Sequence, residues 1–229
     1  VNVVCQRRLP MTKARALWLQ QACRRVLRIL SVDVKTRGPI PLRGLLVCNH
    51  LSYLDILVIS SVTPAVFVAE SEVRRWPVFG WFASLSGTLF VDRSRRSDVG
   101  RLNGELTGTL DEGALVVLFP EGTSSDGRSV LPFKSSLLEP VTRLRHPLTL
   151  ACLGYGLAES EGSPGEEVCY WGDMTLVPHL MNLLSKPGVD ATVAFTSYEQ
   201  PGACRKELAR QLHQEVSRLK AVDGIAFTA

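Results

Sequence analysis

The chain has no C-x-x-C pair, although six cysteines (Cys5, Cys23, Cys48, Cys152, Cys169 and Cys204) are spread over its 229 residues. That spacing excludes the common zinc-binding patterns, and the apolar neighbours in "LVCNH" and "LACLG" predict buried thiols in a reducing compartment. A clean run of about 18 or more uncharged apolar residues, the length a membrane-spanning helix needs, is also missing. Two stretches come close. Residues 44–69 are largely apolar apart from His50 and Asp55, but a mid-membrane carboxylate is costly and Pro64 breaks the run, so strand, helix, strand is expected. Residues 76–91, "WPVFGWFASLSGTLFV", are uncharged but short, with two Trp and two Gly. They fit a wedge dipping into a membrane interface better than a span. No G-x-S-x-G elbow occurs, which removes the usual serine-hydrolase nucleophile. Zinc-finger spacing, an aromatic-basic RNA motif and a heptad zipper are absent, so no nucleic-acid partner is expected. Neither an internal repeat nor a low-complexity linker divides the chain.

What is present is a 45% hydrophobic composition, enough for a folded globular α/β domain. The net charge of +4 is unevenly placed: residues 1–43 carry ten Lys/Arg against one acid, and the remainder is net acidic. In "MTKARALWLQQACRRVLRIL", helical spacing puts Trp18, Ala22, Val26 and Ile29 on one arc, with Leu19, Cys23 and Leu30 beside them. Lys13, Arg24 and Arg28 fall opposite, and Arg15 interrupts the apolar arc. Periodicity allows two readings of this basic amphipathic helix: a face for an anionic membrane, or a surface helix packed on its own domain. On the first reading residues 1–43 are a basic amphipathic, membrane-proximal segment ahead of the main domain at 44–229. The chain begins with Val, which leaves open a targeting or membrane segment ahead of it.

Along the chain, "VDVKTRG" alternates like an exposed strand, and "GLLVCNH" reads as a buried strand feeding a helix over about 53–61. Further strands are expected at 65–70, in "TLFVDR", in "ALVVLF", at 147–157 and in "VDATVAFTSY". Helices are expected near 72–76, over about 98–110, in "MTLVPHLMNLL" and over about 205–220, with a Gly/Glu-rich surface loop at 159–167. Strands alternating with helices predict a mostly parallel α/β sheet flanked by helices, with functional residues at the carboxyl ends of its strands.

Three polar clusters follow buried strands: "NHLSYLD", "DRSRR" and "PEGTSSDG". In the first, Ser52 or Asn49 could cap the helix, while Asp55 can return to the imidazole of His50. A histidine whose tautomer is set by a carboxylate is a general base. Taken alone, the pair could equally be a satisfied core histidine and a first-turn acid favoured by the helix dipole. Ser124 and Ser125 lack the elbow pattern, and a base without an enzymic nucleophile suggests that the substrate supplies the attacking hydroxyl. Arg93 offers a fork for an anion such as phosphate, whereas Arg95 and Arg96 read as a solvated turn. Gly122 lets backbone approach a ligand, and Lys134 is a second candidate anion contact.

Together these residues resemble the glycerolipid acyltransferases typified by lysophosphatidic acid acyltransferase. "NHLSYLD" is similar to the family's N-H-x-x-x-x-D block, "GTLFVDR" (residues 87–93) to its G-x-x-F-[IV]-D-R block and "FPEGTSS" (residues 119–125) to its F-P-E-G-T block, in the family's order. The ordered combination is specific where each block alone is weak. The resemblance implies a glycerol-3-phosphate acyltransferase-like fold. It also implies transfer of a fatty acyl group from acyl-CoA or acyl-carrier protein to a lysolipid hydroxyl, most directly 1-acyl-glycerol-3-phosphate, with lyso-ornithine lipid or a lysophospholipid as alternative acceptors. His50 and Asp55 would be catalytic. Arg93, Glu121, Gly122, Thr123, Lys134 and Asn49 would bind substrate, without a metal or bound cofactor, at the cytoplasmic face of a bacterial inner membrane. Two departures stand out: Ser124 occupies a position where lysophosphatidate-using members commonly carry Arg, and Leu150 lies where a fourth block brings proline. "YWGDMTLVPHL" (residues 170–180) resembles a segment of bacterial branches that include ornithine-lipid acyltransferases; Asp173 and His179 within it read as structural. A catalytically silent lipid-binding module is the rival from another class, and the joint presence of His50, Asp55, Arg93 and Glu121 argues against it.

Overall fold

The computed structural model describes residues 11–75, 79–92, 96–143, 146–199 and 204–222. Cys5, Trp76, Arg93 and Arg95, each singled out above, lie outside the described residues.

The apolar run after Arg43 forms β2 (Gly44–Cys48), buried along its whole length. Successive side chains of a strand point to opposite faces. Leu46 and Cys48 accordingly enter one core and Leu45 and Val47 the other. Burial on both faces is why the run is continuously apolar rather than alternating. The same holds for β5 (Leu115–Leu118) and β6 (Leu148–Gly156). With β1 (Val32–Arg37), β3 (Val66–Glu70), β4 (Leu89–Val91) and β7 (Val189–Tyr198), they form one sheet in the order β1-β7-β6-β2-β5-β3-β4. Strands β6, β2, β5, β3 and β4 run parallel, while β7 is antiparallel to β6 and parallel to β1. The expected mostly parallel sheet flanked by helices is thus what the chain forms.

One core lies beneath α1 (Met11–Ile29), α2 (Leu54–Val62) and α6 (Leu176–Ser185), and the other beneath α4 (Arg96–Asp111) and α7 (Arg205–Val222). Helix α3 (Phe79–Ser86) packs against a 3₁₀ turn at Ser71–Arg75 and against α1. Gly80 permits that approach, because a Cβ there would come within 2.2 Å of the Arg74 carbonyl oxygen. The interfacial wedge expected at 76–91 is therefore, where described, helix α3 followed by strand β4.

Helix α1 buries a different face from the arc expected. Ala16, Leu19, Gln20, Cys23 and Leu27 turn inward, while Trp18 and Ile29 are 45% and 75% exposed. The reason is packing on α2. The carbonyl of Ser61, in the last turn of α2, lacks a helical partner and accepts from Gln20 Nε2 at 3.3 Å and Arg24 Nε at 2.8 Å. Residues set apart by composition, α1 and β1, join the same core and sheet as the rest.

The segment read as a surface loop at 159–167 holds a 3₁₀ turn at Glu159–Glu161 and the short helix α5 (Pro164–Glu167), with Pro164 and Gly165 buried. Proline at a helix start is preorganised by its fixed φ, a signal that the composition of the segment masked. Cys23, Cys48, Cys152 and Cys169 are buried free thiols as expected, but Cys204 is exposed.

Candidate active site

The site forms where β2 and β5 end side by side. His50 leaves β2, and its Nδ1 lies 2.7 Å from Asp55 Oδ2. An ionised carboxylate only accepts, so Nδ1 carries the proton and Nε2 is the basic nitrogen. The His50 ring stacks on Phe119 with centroids 4.3 Å apart, and its side chain keeps 22% exposure. One ring nitrogen is held while part of the side chain still meets solvent, as a general base requires.

Asp55 is fully buried. Its Oδ2 also accepts the backbone N–H groups of Leu51 at 2.6 Å and Ser52 at 3.1 Å, and its Oδ1 accepts the Tyr155 hydroxyl at 2.7 Å. Capping of α2 differs from expectation. The N-cap is Tyr53 with no side-chain cap bond; Asp55, in the first turn, reaches back to those donors instead. The Ser52 hydroxyl is buried without a partner among the described residues, and Asn49 is used elsewhere.

Asn49 turns toward the sheet. Its Oδ1 accepts from Leu153 N–H at 2.7 Å and its Nδ2 donates to the Leu153 carbonyl at 2.9 Å, which extends the β2–β6 pairing by one side chain. Glu121 is equally inward, at 1% exposure. Its Oε1 accepts His50 N–H at 3.0 Å and its Oε2 accepts Leu131 N–H at 3.2 Å, which binds the mouth of β2 to the loop after β5. Burial pushes the Glu121 carboxyl up to about 8, against both N–H donors and the Lys220 ammonium, which pull it down. Asn49 and Glu121, expected as substrate contacts, thus spend their polar groups on backbone.

Gly122 stands at φ 71°, a left-handed turn that glycine adopts without Cβ strain. It redirects the chain so that Ser125 N–H reaches the His50 carbonyl at 3.0 Å. Thr123 and Lys134 are exposed on the same loop. Arg93 lies outside the described residues, although Asp92 before it follows β4, in the sheet with β2 and β5. The strand order therefore brings His50, Asp55, Glu121 and Gly122 together.

Tyr155 and Lys220 carried no signal in the motifs, whereas His179 was read as structural. Tyr155 approaches from β6. Lys220 of α7 donates to the carbonyls of Gly127 and Arg128, the latter at 2.8 Å, and so ties down the loop from below. His179 of α6 accepts the Tyr53 hydroxyl on Nδ1 at 3.0 Å and donates from Nε2 to the Cys169 carbonyl at 3.0 Å. Burial lowers its pKa, which keeps the imidazole neutral for both bonds. The 170–180 segment also closes on the site through Tyr170, whose N–H donates to Leu51 at 2.8 Å and whose carbonyl accepts the Ser124 hydroxyl. Gly165 permits the approach, since a Cβ there would meet the Asp126 carbonyl at 2.7 Å.

A family pattern described as Acyltransferase matches residues 31–154, from β1 through Asn49, the His50–Asp55 pair, Glu121 and most of β6. This chain belongs to the acyltransferase family. The acyltransferase is 36% identical over 219 residues to a Rhizobium meliloti protein named lyso-ornithine lipid O-acyltransferase, covering 88% of this chain and 73% of that one. It is 39% identical over 119 residues to a 1-acyl-sn-glycerol-3-phosphate acyltransferase of Neisseria meningitidis, covering 51% and 47%. The crystal structure of PlsC, the 1-acyl-sn-glycerophosphate acyltransferase of Thermotoga maritima, superposes with a TM-score of 0.65 at 20% identity over 92% of this chain and 82% of that one. That likeness establishes a shared fold.

Proposed function

We propose that this acyltransferase moves a fatty acyl group from an acyl thioester, acyl-CoA or acyl-carrier protein, onto the free hydroxyl of a lysolipid. The carrying observation is the His50–Asp55 pair, with Nδ1 held at 2.7 Å and the side chain partly exposed at a strand end. His50 Nε2 takes the hydroxyl proton, and the oxygen attacks the thioester carbonyl. The tetrahedral adduct then expels the thiolate, which receives the proton back from the imidazolium. The lipid is itself the nucleophile, so no enzymic serine is needed. Glu121 and Asn49 act by holding the site's backbone, while exposed Thr123 and Lys134 face the substrates.

The acceptor we infer is lyso-ornithine lipid. Support comes from the Rhizobium relative, which matches across most of both chains, and from Ser124. Where a guanidinium would fork a phosphate, this chain has a hydroxyl already committed to the Tyr170 carbonyl. Lysophosphatidate is the second reading, supported by the Neisseria relative over about half of the chain.

The enzyme works at a lipid surface, at the cytoplasmic face of a membrane. No described helix is long and apolar enough to cross one. Supporting surface attachment, Met11, Trp18 and Ile29 form an outward stripe on α1 with exposures of 68%, 45% and 75%. Exposed Arg15 and Arg25 flank it, a pairing suited to anionic headgroups.

The test is acyl transfer from labelled acyl-CoA, and separately acyl-carrier protein, to lyso-ornithine lipid, lysophosphatidate and lysophospholipids, with His50→Ala alongside. Diacyl product on lyso-ornithine lipid, lost by about 10²- to 10⁴-fold in the variant, supports the proposal. Product on lysophosphatidate alone would overturn the acceptor, and full activity of His50→Ala would overturn the mechanism.

A further inference from the structure

A carboxylate has two oxygens, and the contact with His50 uses one. Asp55 Oδ2 gathers three donors from its own loop: His50 Nδ1, Leu51 N–H and Ser52 N–H. Donors on a single oxygen act as a pivot, leaving the other oxygen's position to be set from elsewhere. Oδ1 is met by Tyr155, 100 residues further along the chain, whose hydroxyl donates at 2.7 Å. Tyr155 is 3% exposed and lies in the core among Leu153, Cys48 and Leu51. Phenylalanine would fill such a core equally well. A phenol there has a use only if its one polar atom matters.

We infer that Tyr155 is a positioning residue for the His50–Asp55 pair, its hydroxyl fixing the plane in which the carboxylate meets the imidazole. The inference rests on the proposed acyl transfer through His50. Tyr155 touches no reacting atom. It acts through Asp55, which must stay in the imidazole plane to stabilise the cation formed when His50 takes the proton. The phenol is well placed for this because burial and the neighbouring Asp55 charge raise its pKa, so it remains a donor. The other titratable groups facing it are Cys48 on β2 and Cys169 after α5, both pushed upward by burial, with Glu121 near Cys48.

The experiment compares wild type, Tyr155→Phe and His50→Ala with acyl-CoA and lyso-ornithine lipid, reading kcat and KM from the acid side to the alkaline side of the rate profile. Tyr155→Phe is expected to lose about ten- to a hundred-fold in kcat with KM for both substrates within about twofold. A carboxylate relieved of a donor holds the imidazolium more tightly. The acid limb should therefore move to higher pH, by about half a unit or more. Far-UV circular dichroism of the variant over the same pH range separates this shift from acid unfolding, which would lower the folded fraction along the same limb. An unmoved limb with unchanged kcat, or a change in KM alone, would overturn the inference while leaving the His50 mechanism standing if His50→Ala is inactive. Full activity of His50→Ala would remove both.

Discussion

The backbone N–H of His50 donates to the carboxylate of Glu121, 71 positions away in sequence, at 3.0 Å. The general base is thus held by its main chain as well as by its ring, and the second anchor comes from the neighbouring strand's loop. Replacing Glu121 by Gln leaves one of the two N–H groups facing an amide donor. A loss of about 1–3 kcal/mol in unfolding free energy is expected. The pH dependence has a definite sign. The folded carboxyl, at about 8, lies above its unfolded value of about 4.3. Its contribution is therefore full below the unfolded value and is lost as pH rises through the folded one. Denaturant titrations across that window should show the advantage of wild type over Glu121→Gln shrinking as pH rises. A gap that is constant with pH would contradict this.

His179 moves stability in the opposite direction. Burial lowers its pKa, so its contribution is present above the unfolded value of about 6.5 and is lost as pH falls below it. A charged imidazole could not accept the Tyr53 hydroxyl. His179→Gln keeps a donor and an acceptor but does not titrate. Thermal melts should show wild type losing more stability than the variant between neutral pH and pH about 5.

Ser124 is expected to tune the acceptor. Ser124→Arg places a guanidinium on the active-site loop and releases the Tyr170 carbonyl from its bond. The ratio of kcat/KM for lysophosphatidate to that for lyso-ornithine lipid should rise by roughly tenfold, the scale of one charge-assisted bond. An unchanged ratio would show that the phosphate is not read at this position.

Trp18 and Ile29 project away from the core, at 45% and 75% exposure. Changing both to Ser should leave the melting temperature nearly unaltered, because neither fills the interior. Sedimentation with vesicles of phosphatidylglycerol and phosphatidylcholine should weaken by roughly tenfold or more, as expected for two apolar side chains leaving an interface. Equal binding would locate the lipid contact elsewhere.

Much of the fold was legible because strands buried on both faces are written as unbroken apolar runs. "GLLVC" and "ALVVL" in particular cannot be solvated on either side. The family was legible because three short blocks occur in order. Less was readable where a periodic pattern has two faces. On α1 both faces hold apolar residues, and the buried one is set by packing of Leu19, Cys23 and Leu27 into the core beside α2, where Gln20 and Arg24 bond the Ser61 carbonyl. The inward turn of Asn49 and Glu121 was likewise hidden, because residue type does not reveal whether a polar group meets a ligand or a backbone N–H.

By itself the sequence determined the alternation of strands and helices, the proximity of Asp55 to His50 and the absence of a G-x-S-x-G elbow, since each depends on residues close together in the chain. Tertiary structure alone decided what surrounds that pair: Tyr155 on Asp55, Glu121 on the His50 main chain, His179 against Tyr53 and Lys220 beneath the loop. These partners lie from 71 to 126 positions away, or 92 for Lys220 and Arg128. Contacts at such separations are set by strand order and by the burial of polar groups that water can no longer satisfy, neither of which leaves a local periodicity to read.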